Sequence, residues 1–205
     1  MLPVIFLGLF VSLAVLRALH QRRPLQTNGI PSAHVHLEGR RLDSIRRLLT
    51  ALLSLAVIIF GFHHVFGLFS WFASFSLPFP SWIRWLGSLG ALASLAMLHQ
   101  VHCDLGEAFS VQLLVRENHP LVTNGWYARI RHPMYSALCA FFVSSSLVAA
   151  NLLILAPALA LAAVLCSRTD VEERMMEAHF GDAYRRYRAH TGRLLPKLTR
   201  QTQKG

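Results

Sequence analysis

The feature that most constrains this chain is how its apolar residues are distributed. They are bunched into runs instead of recurring at the period of an amphipathic helix or strand. Bunching of this kind points to segments that cross a bilayer, because a straight span needs roughly 20 mainly apolar residues at 1.5 Å each. Five candidate spans can be read, at about 2–19, 48–69, 82–98, 135–150 and 152–167. The last two are short and meet at Asn151, which predicts a tight helical hairpin with each arm extended by its polar flank. The fold class expected is therefore all-α: a polytopic membrane bundle of about five transmembrane helices. Its three N-terminal spans (1–98) would precede a second region (99–205) that carries a loop, the hairpin and a C-terminal helix.

Charge gives the orientation. Lys and Arg number 20 against 10 acidic residues, a net charge of +10, which in a soluble protein would raise the question of nucleic acid. Here 54% of residues are hydrophobic, and the basic residues lie in particular connections. Arg22, Arg23, Arg40, Arg41, Arg46 and Arg47 lie between the first two spans, and Arg116, Arg129 and Arg131 between the third and fourth. The tail from 168 onward carries nine more, and the 70–81 connection carries none. All the basic segments share one side if the N-terminus is outside and the C-terminus cytoplasmic, as the positive-inside rule requires. No nucleic-acid partner is expected. The short loops favour a bacterial inner membrane. Trp71, Trp82 and Trp85 sit where interface anchors belong. The first twenty residues lack a basic lead and a small-residue cleavage pattern, so they read as a retained span.

Three polar clusters interrupt this apolar plan. The first is Arg131-His132-Pro133-Met134-Tyr135, set against the fourth span. Pro133 suits the first turn of a helix, where its missing N–H costs nothing. A helix start offers unpaired N–H groups and a positive dipole end, a place for a carboxylate or phosphate. An ordinary basic membrane boundary would also explain the trio. The second cluster follows the fifth span. Arg168 and Glu172 are four apart and can share a helix face, and Glu173 stands beside them. Thr169 and Asp170 each precede a glutamate by three, so a capping box is the competing account. The third runs from Val111 to Tyr127, with turn residues at His119-Pro120 and Asn124-Gly125.

Two further features are weighed. From Val171 to about His190 the chain is amphipathic, with Met176, Phe180, Tyr184 and Tyr187 at helical spacing, which suits a helix on the cytosolic surface or a cap on the bundle. His99 and His102 form a His-x-x-His pair without an evident third ligand, so no metal site is expected. The three cysteines show no disulfide or zinc spacing.

In this order and spacing, the clusters resemble the isoprenylcysteine carboxyl methyltransferase and phospholipid methyltransferase superfamily of membrane enzymes. The residues that carry the resemblance are His119-Pro-Leu121-Val122, Gly125-Trp-Tyr127 and Arg131-His132-Pro133-Met134-Tyr135. After the hairpin come Arg168, Glu172-Glu173, Phe180-Gly181-Asp-Ala-Tyr184-Arg-Arg-Tyr187 and Pro196. The match covers about residues 105–196. One departure is Ala137, where the family usually has Gly.

The resemblance implies S-adenosylmethionine as cofactor. It implies that Gln112, His119, Leu121, Val122, Gly125, Tyr127, Arg131, His132, Pro133, Met134, Tyr135, Glu172 and Glu173 surround it. It also implies Arg168 at the substrate, with Arg168 and Glu172 as the catalytic pair, and a lipid-like or prenylated acceptor such as a carboxylate. Elementary chemistry agrees with this. A helix start with His132 suits the cofactor carboxylate, Glu172 its amine or a ribose hydroxyl, and Leu121, Val122 and Tyr127 its adenine. No Gly-x-Gly-x-x-Gly loop is present. Two readings compete: an NADPH-dependent sterol- or steroid-type reductase of similar membrane fold, and a non-catalytic membrane protein. Nucleophile type and oligomeric state stay open.

Overall fold

The structure, a computed structural model, describes residues 1–20, 33–105 and 121–197. Gln112 and His119 lie outside the described residues. Helices α1 (Leu2–His20), α2 (Ala33–Phe66), α3 (Ser81–Leu105), α4 (Pro133–Ala149) and α5 (Leu152–Phe180) stand where the five apolar runs were read, and α6 (Asp182–His190) follows. Short 3-10 turns occupy Ser70–Phe75 and Gly125–Ala128. Among the described residues no strand forms. Only two isolated bridges occur, Ser76 with Asn151 and Ile130 with Gly192.

By length and composition, three helices can cross a membrane alone: α1, residues 38–66 of α2, and α5. The other two runs are qualified by the structure. α4 has 17 residues, and Arg84 with several glycines and serines dilutes α3. These two pack against each other, and small residues make that possible. A Cβ on Gly87 would come within 2.7 Å of the Ser144 carbonyl oxygen, and one on Gly90 within 2.7 Å of the Ser144 hydroxyl. Ser88, Ser94, Ser145 and Ser146 are buried along the pair, with Ser94 and Ser146 hydroxyls bonded to carbonyls one turn back. Close backbone approach and internally satisfied hydroxyls are the usual terms of helix packing in lipid. A membrane helix that hides its small, polar face on a neighbour needs less apolar length of its own.

The core is one cluster in which Phe6, Phe60, Phe72, Phe141 and Ile154 are buried to within 1%. Ala137 is fully buried there, so a small residue is kept where the family pattern has Gly. Apolar residues also cover the outside: Val4, Val11 and Leu19 on α1 and Leu48, Leu55 and Ile58 on α2 are each about half or more exposed. An outward apolar face is what a bilayer solvates.

The helices alternate in direction, so two ends can be compared. At one end the α4–α5 hairpin turns on Ala150, at φ 50, and Asn151. The Asn151 side chain accepts from Leu153 N–H at 2.9 Å as helix cap and donates to the Phe72 carbonyl at 3.0 Å. Leu77 N–H donates to Ala150 O at 2.7 Å, and Arg84 Nε to Val148 O at 2.9 Å. At the other end lie the close of α1, the start of α2, the close of α3, the start of α4 and the outer half of α5. The polar clusters meet there.

Candidate active site at the charged end of the bundle

α4 begins at Pro133, with His132 as the residue before the first turn, as the sequence predicts. What fixes His132 is a segment far along the chain. Residues 191–193 lie parallel to 129–132: Arg131 N–H donates to Gly192 O at 2.8 Å, His132 N–H to Arg193 O at 3.0 Å, and Gly192 N–H to Arg129 O at 3.0 Å. Gly192 has no room for a side chain, since a Cβ would lie 1.7 Å from the Leu195 carbonyl oxygen. Arg193 ties this segment to α5 through the Thr169 hydroxyl at 2.6 Å and the Cys166 carbonyl at 3.2 Å. The helix entrance is thus clamped between its own chain, α5 and the tail.

Around this clamp, six charged groups converge. Arg131 Nε donates to Glu173 at 2.9 Å, and both side chains are 8% exposed. His132 Nδ1 lies 3.5 Å from Glu172 and Nε2 lies 3.4 Å from Glu173. Arg168 pairs with Glu172 one turn on, at 3.3 Å, and with Asp43 of α2. Tyr135 donates its hydroxyl to Glu172. With His132 protonated, three cations face three carboxylates. This balance is the condition under which buried charge is tolerated. Burial works to lower the His132 pKa, but the Glu172 and Glu173 carboxylates prevail and hold it above its ordinary value. Burial raises the Tyr127 phenol well above its ordinary range, with the charges of Glu172 and Asp104 acting in the same sense.

One atom in this cluster is left over. His132 is 8% exposed, yet its Nε2 makes no hydrogen bond among the described residues. Its 3.4 Å approach to Glu173 is an ion-pair contact and not a hydrogen bond. No side chain caps α4 either. A buried donor without a partner, beside an uncapped helix start, is the arrangement that a ligand carboxylate completes. S-Adenosylmethionine carries such a carboxylate together with cationic groups that suit Glu172, so the residues present fit it.

The sequence-predicted residues sort clearly. Arg131, His132, Tyr135, Arg168, Glu172 and Glu173 form one cluster. Tyr127 is near enough to feel Glu172, and its carbonyl accepts from the Tyr187 hydroxyl at 2.7 Å. Leu121 and Val122 are half-buried ahead of the 3-10 turn. Pro133 is buried, and Met134 packs on the core. Gly125 has a structural explanation of its own: its φ is +55 and a Cβ would collide with the Asp104 carboxylate, which accepts from Trp126 N–H at 2.8 Å. The capping-box account of the glutamates fails, because Thr169 and Asp170 lie in the middle of α5, which runs unbroken to Phe180. The amphipathic tail is broken at Gly181, φ +53, so that Tyr184 of α6 is buried while Asp182 and Arg185 face outward.

Asp43, Thr191, Gly192 and Arg193 were missed. Asp43 carried a faint signal as one of ten acidic residues standing in a basic connection. The tail residues carried none, since their contacts span 60 residues or so of chain.

The isoprenylcysteine carboxyl methyltransferase (ICMT) family model matches residues 86–178, which take in α3, α4 and the α5 glutamates. The solved structure of the eukaryotic intramembrane Ras methyltransferase ICMT, without a monobody, shares the fold with a TM-score of 0.57. Its identity to this chain is 20%, over 96% of this chain and 68% of that one. No curated protein matches. The family match spans less than half of the chain and the structural likeness shows a shared fold, so the chain is similar to the isoprenylcysteine carboxyl methyltransferase superfamily. The length and apolarity of its helices make it an integral membrane protein.

Proposed function

We propose that this protein transfers a methyl group from S-adenosylmethionine to a lipid-like or prenylated acceptor, a carboxylate in the first instance, at the cytoplasmic face of a bacterial inner membrane. The observation that carries the reading is the orphaned His132 Nε2 beside Glu172 and Glu173 at an uncapped helix start. The bound cofactor supplies an electrophilic methyl on a sulfonium sulfur. His132 and the α4 start hold its carboxylate. Glu172, kept in place by Arg168, His132 and Tyr135, meets its amine or a ribose hydroxyl. Leu121, Val122 and Tyr127 border the adenine, and the neutral Tyr127 phenol adds no charge there. Arg168, anchored on Asp43 and Glu172, draws the acceptor carboxylate towards the methyl.

Methyl transfer is an in-line displacement, so alignment does most of the work. A carboxylate acceptor arrives ionised and needs no general base. The cluster lies where the basic end of the bundle meets its apolar flank, which lets cofactor enter from water and acceptor from lipid. The test is calorimetry on detergent-purified protein, with NADPH in parallel. S-Adenosylmethionine is expected to bind saturably to wild type, and His132→Ala and Glu172→Gln to weaken it. Equal binding by both variants sinks the site, and binding of NADPH alone moves the reading to a reductase.

A further inference from the structure

Outside the cluster just described, one group of side chains stands without a role. His99 and Cys103 are four apart on α3 and share a face, and the Cys103 thiol lies 3.9 Å from His99 Nε2. Their helix pair is α1, whose last residue is His20. The His20 ring stacks edge-on against His99, with centroids 5.5 Å apart. One nitrogen or sulfur from each of His20, His99 and Cys103 can be chosen so that all three lie within 4.8 Å of one another. We infer that His20, His99 and Cys103 form a metal site for a borderline divalent ion, Zn2+ first, which braces α1 against α3.

Three observations converge on this. The donor set is two imidazoles and a thiolate, which favours Zn2+ over the oxygen-seeking Ca2+ and Mg2+. The spacing is near that required, since ligand atoms around tetrahedral zinc stand about 3.3–3.8 Å apart. Small side-chain rotations close the difference, and His99 and Cys103 are exposed and free to make them. Third, the tautomer of His20 leaves one nitrogen able to bind a metal. Its Nδ1 lies 2.8 Å from the Leu16 carbonyl oxygen, which can only accept, so Nδ1 carries the proton and Nε2 presents its lone pair. Metal-bound histidines are commonly held by such a contact.

The His-x-x-His pair of the sequence is not the ligand pair. His102 turns inward, is 7% exposed and donates from Nδ1 to the Leu98 carbonyl at 2.7 Å. The third ligand missing from the sequence comes from α1, 79 residues before His99. On binding, one Zn–S and two Zn–N bonds form, the hydrated ion loses all but one of its waters, and the thiol proton goes to solvent. The site stands one residue from Gln100 and Asp104, which hold Trp126 at 2.8 Å each. A brace at this point therefore steadies the turn that presents Tyr127.

The test uses untagged, full-length protein in mild detergent, stripped with chelator and dialysed against Zn2+ or Co2+. The expected result is one metal per chain and, with Co2+, the charge-transfer absorption of a thiolate ligand. Cys103→Ser is expected to remove that absorption and to weaken Zn2+ at least about tenfold. His20→Gln and His99→Gln should weaken it similarly, while His63→Gln, near the other end of α2, leaves it unchanged. Absence of saturable binding to wild type, or binding indifferent to all three ligand substitutions, overturns the proposal. Cys103 is exposed, so its serine variant should fold even if His20→Gln does not. The metal count is independent of methyl transfer, so failure here leaves the methyltransferase reading standing, and the reverse.

Discussion

The two ends of the bundle solve the same problem differently. Both bring helix termini together and bury polar groups. The hairpin end does so with one amide, one guanidinium and backbone groups: Asn151 bonds Phe72 O and Leu153 N–H, and Arg84 bonds Val148 O. The opposite end buries the side chains of Arg131, His132, Arg168 and Glu173, balances their charge, and among the described residues still leaves His132 Nε2 without a hydrogen bond. A helix end built only for stability closes its hydrogen bonds, because an unmade one in a buried setting costs about 1–3 kcal/mol. An incomplete set, supported by so many struts, is what places the proposed cofactor site at this end.

The largest contrast should come from charge. Glu173→Gln leaves Arg131 and His132 buried with one carboxylate fewer and should lower stability by about 3–5 kcal/mol. A thermal or denaturant midpoint in detergent within error of wild type would show that the charged end is not held by its ion pairs. Gly192→Ala comes next, at about 3 kcal/mol, because the new methyl meets backbone rather than a mobile side chain. Gly8→Ala is a fair control, since a Cβ on Gly8 meets nothing within 4 Å.

Glu172→Gln keeps the shape of the cluster and removes one charge. It should cut methyl transfer about 100-fold, with weaker cofactor binding and a smaller change in stability than Glu173→Gln. At the hairpin end, Asn151→Ala removes a cap and a cross-link to Phe72. It should cost about 1–2 kcal/mol and leave cofactor affinity unchanged. If cofactor affinity falls in that variant, the two ends are not independent.

The smallest effect is a pH slope. The folded pKa of His132 is raised above its ordinary 6.5. Its contribution to stability is therefore full below that value and is lost as pH rises through the raised one. Wild type should lose thermal midpoint over that window relative to His132→Gln. Parallel profiles would mean that the imidazole is not held protonated.

Much of the helical plan was legible in the sequence, because bilayer thickness turns apolar length directly into helices. Pro133 marked the start of α4, and Arg168 with Glu172 were matched by helical spacing alone. Three kinds of information were not legible. α3 and α4 fall short as independent spans, since their shared face of Gly87, Gly90 and Ser144 is a property of the pair. Thr169 and Asp170 look like caps only until the helix is seen to run through them. The proposed metal-ligand set was hidden because His20 is on another helix and His102 of the His-x-x-His pair turns inward.

The sequence by itself determined that this protein lives in a membrane, where its helices fall and which charged residues can pair along one helix, because hydrophobic length and i,i+4 spacing act over short stretches. Only the tertiary structure decided that Asp43 holds Arg168, that residues 191–193 fix His132, and that His20 joins His99 and Cys103. Those pairings depend on which helix ends meet, and that is set by packing across the whole bundle rather than by any local preference of the chain.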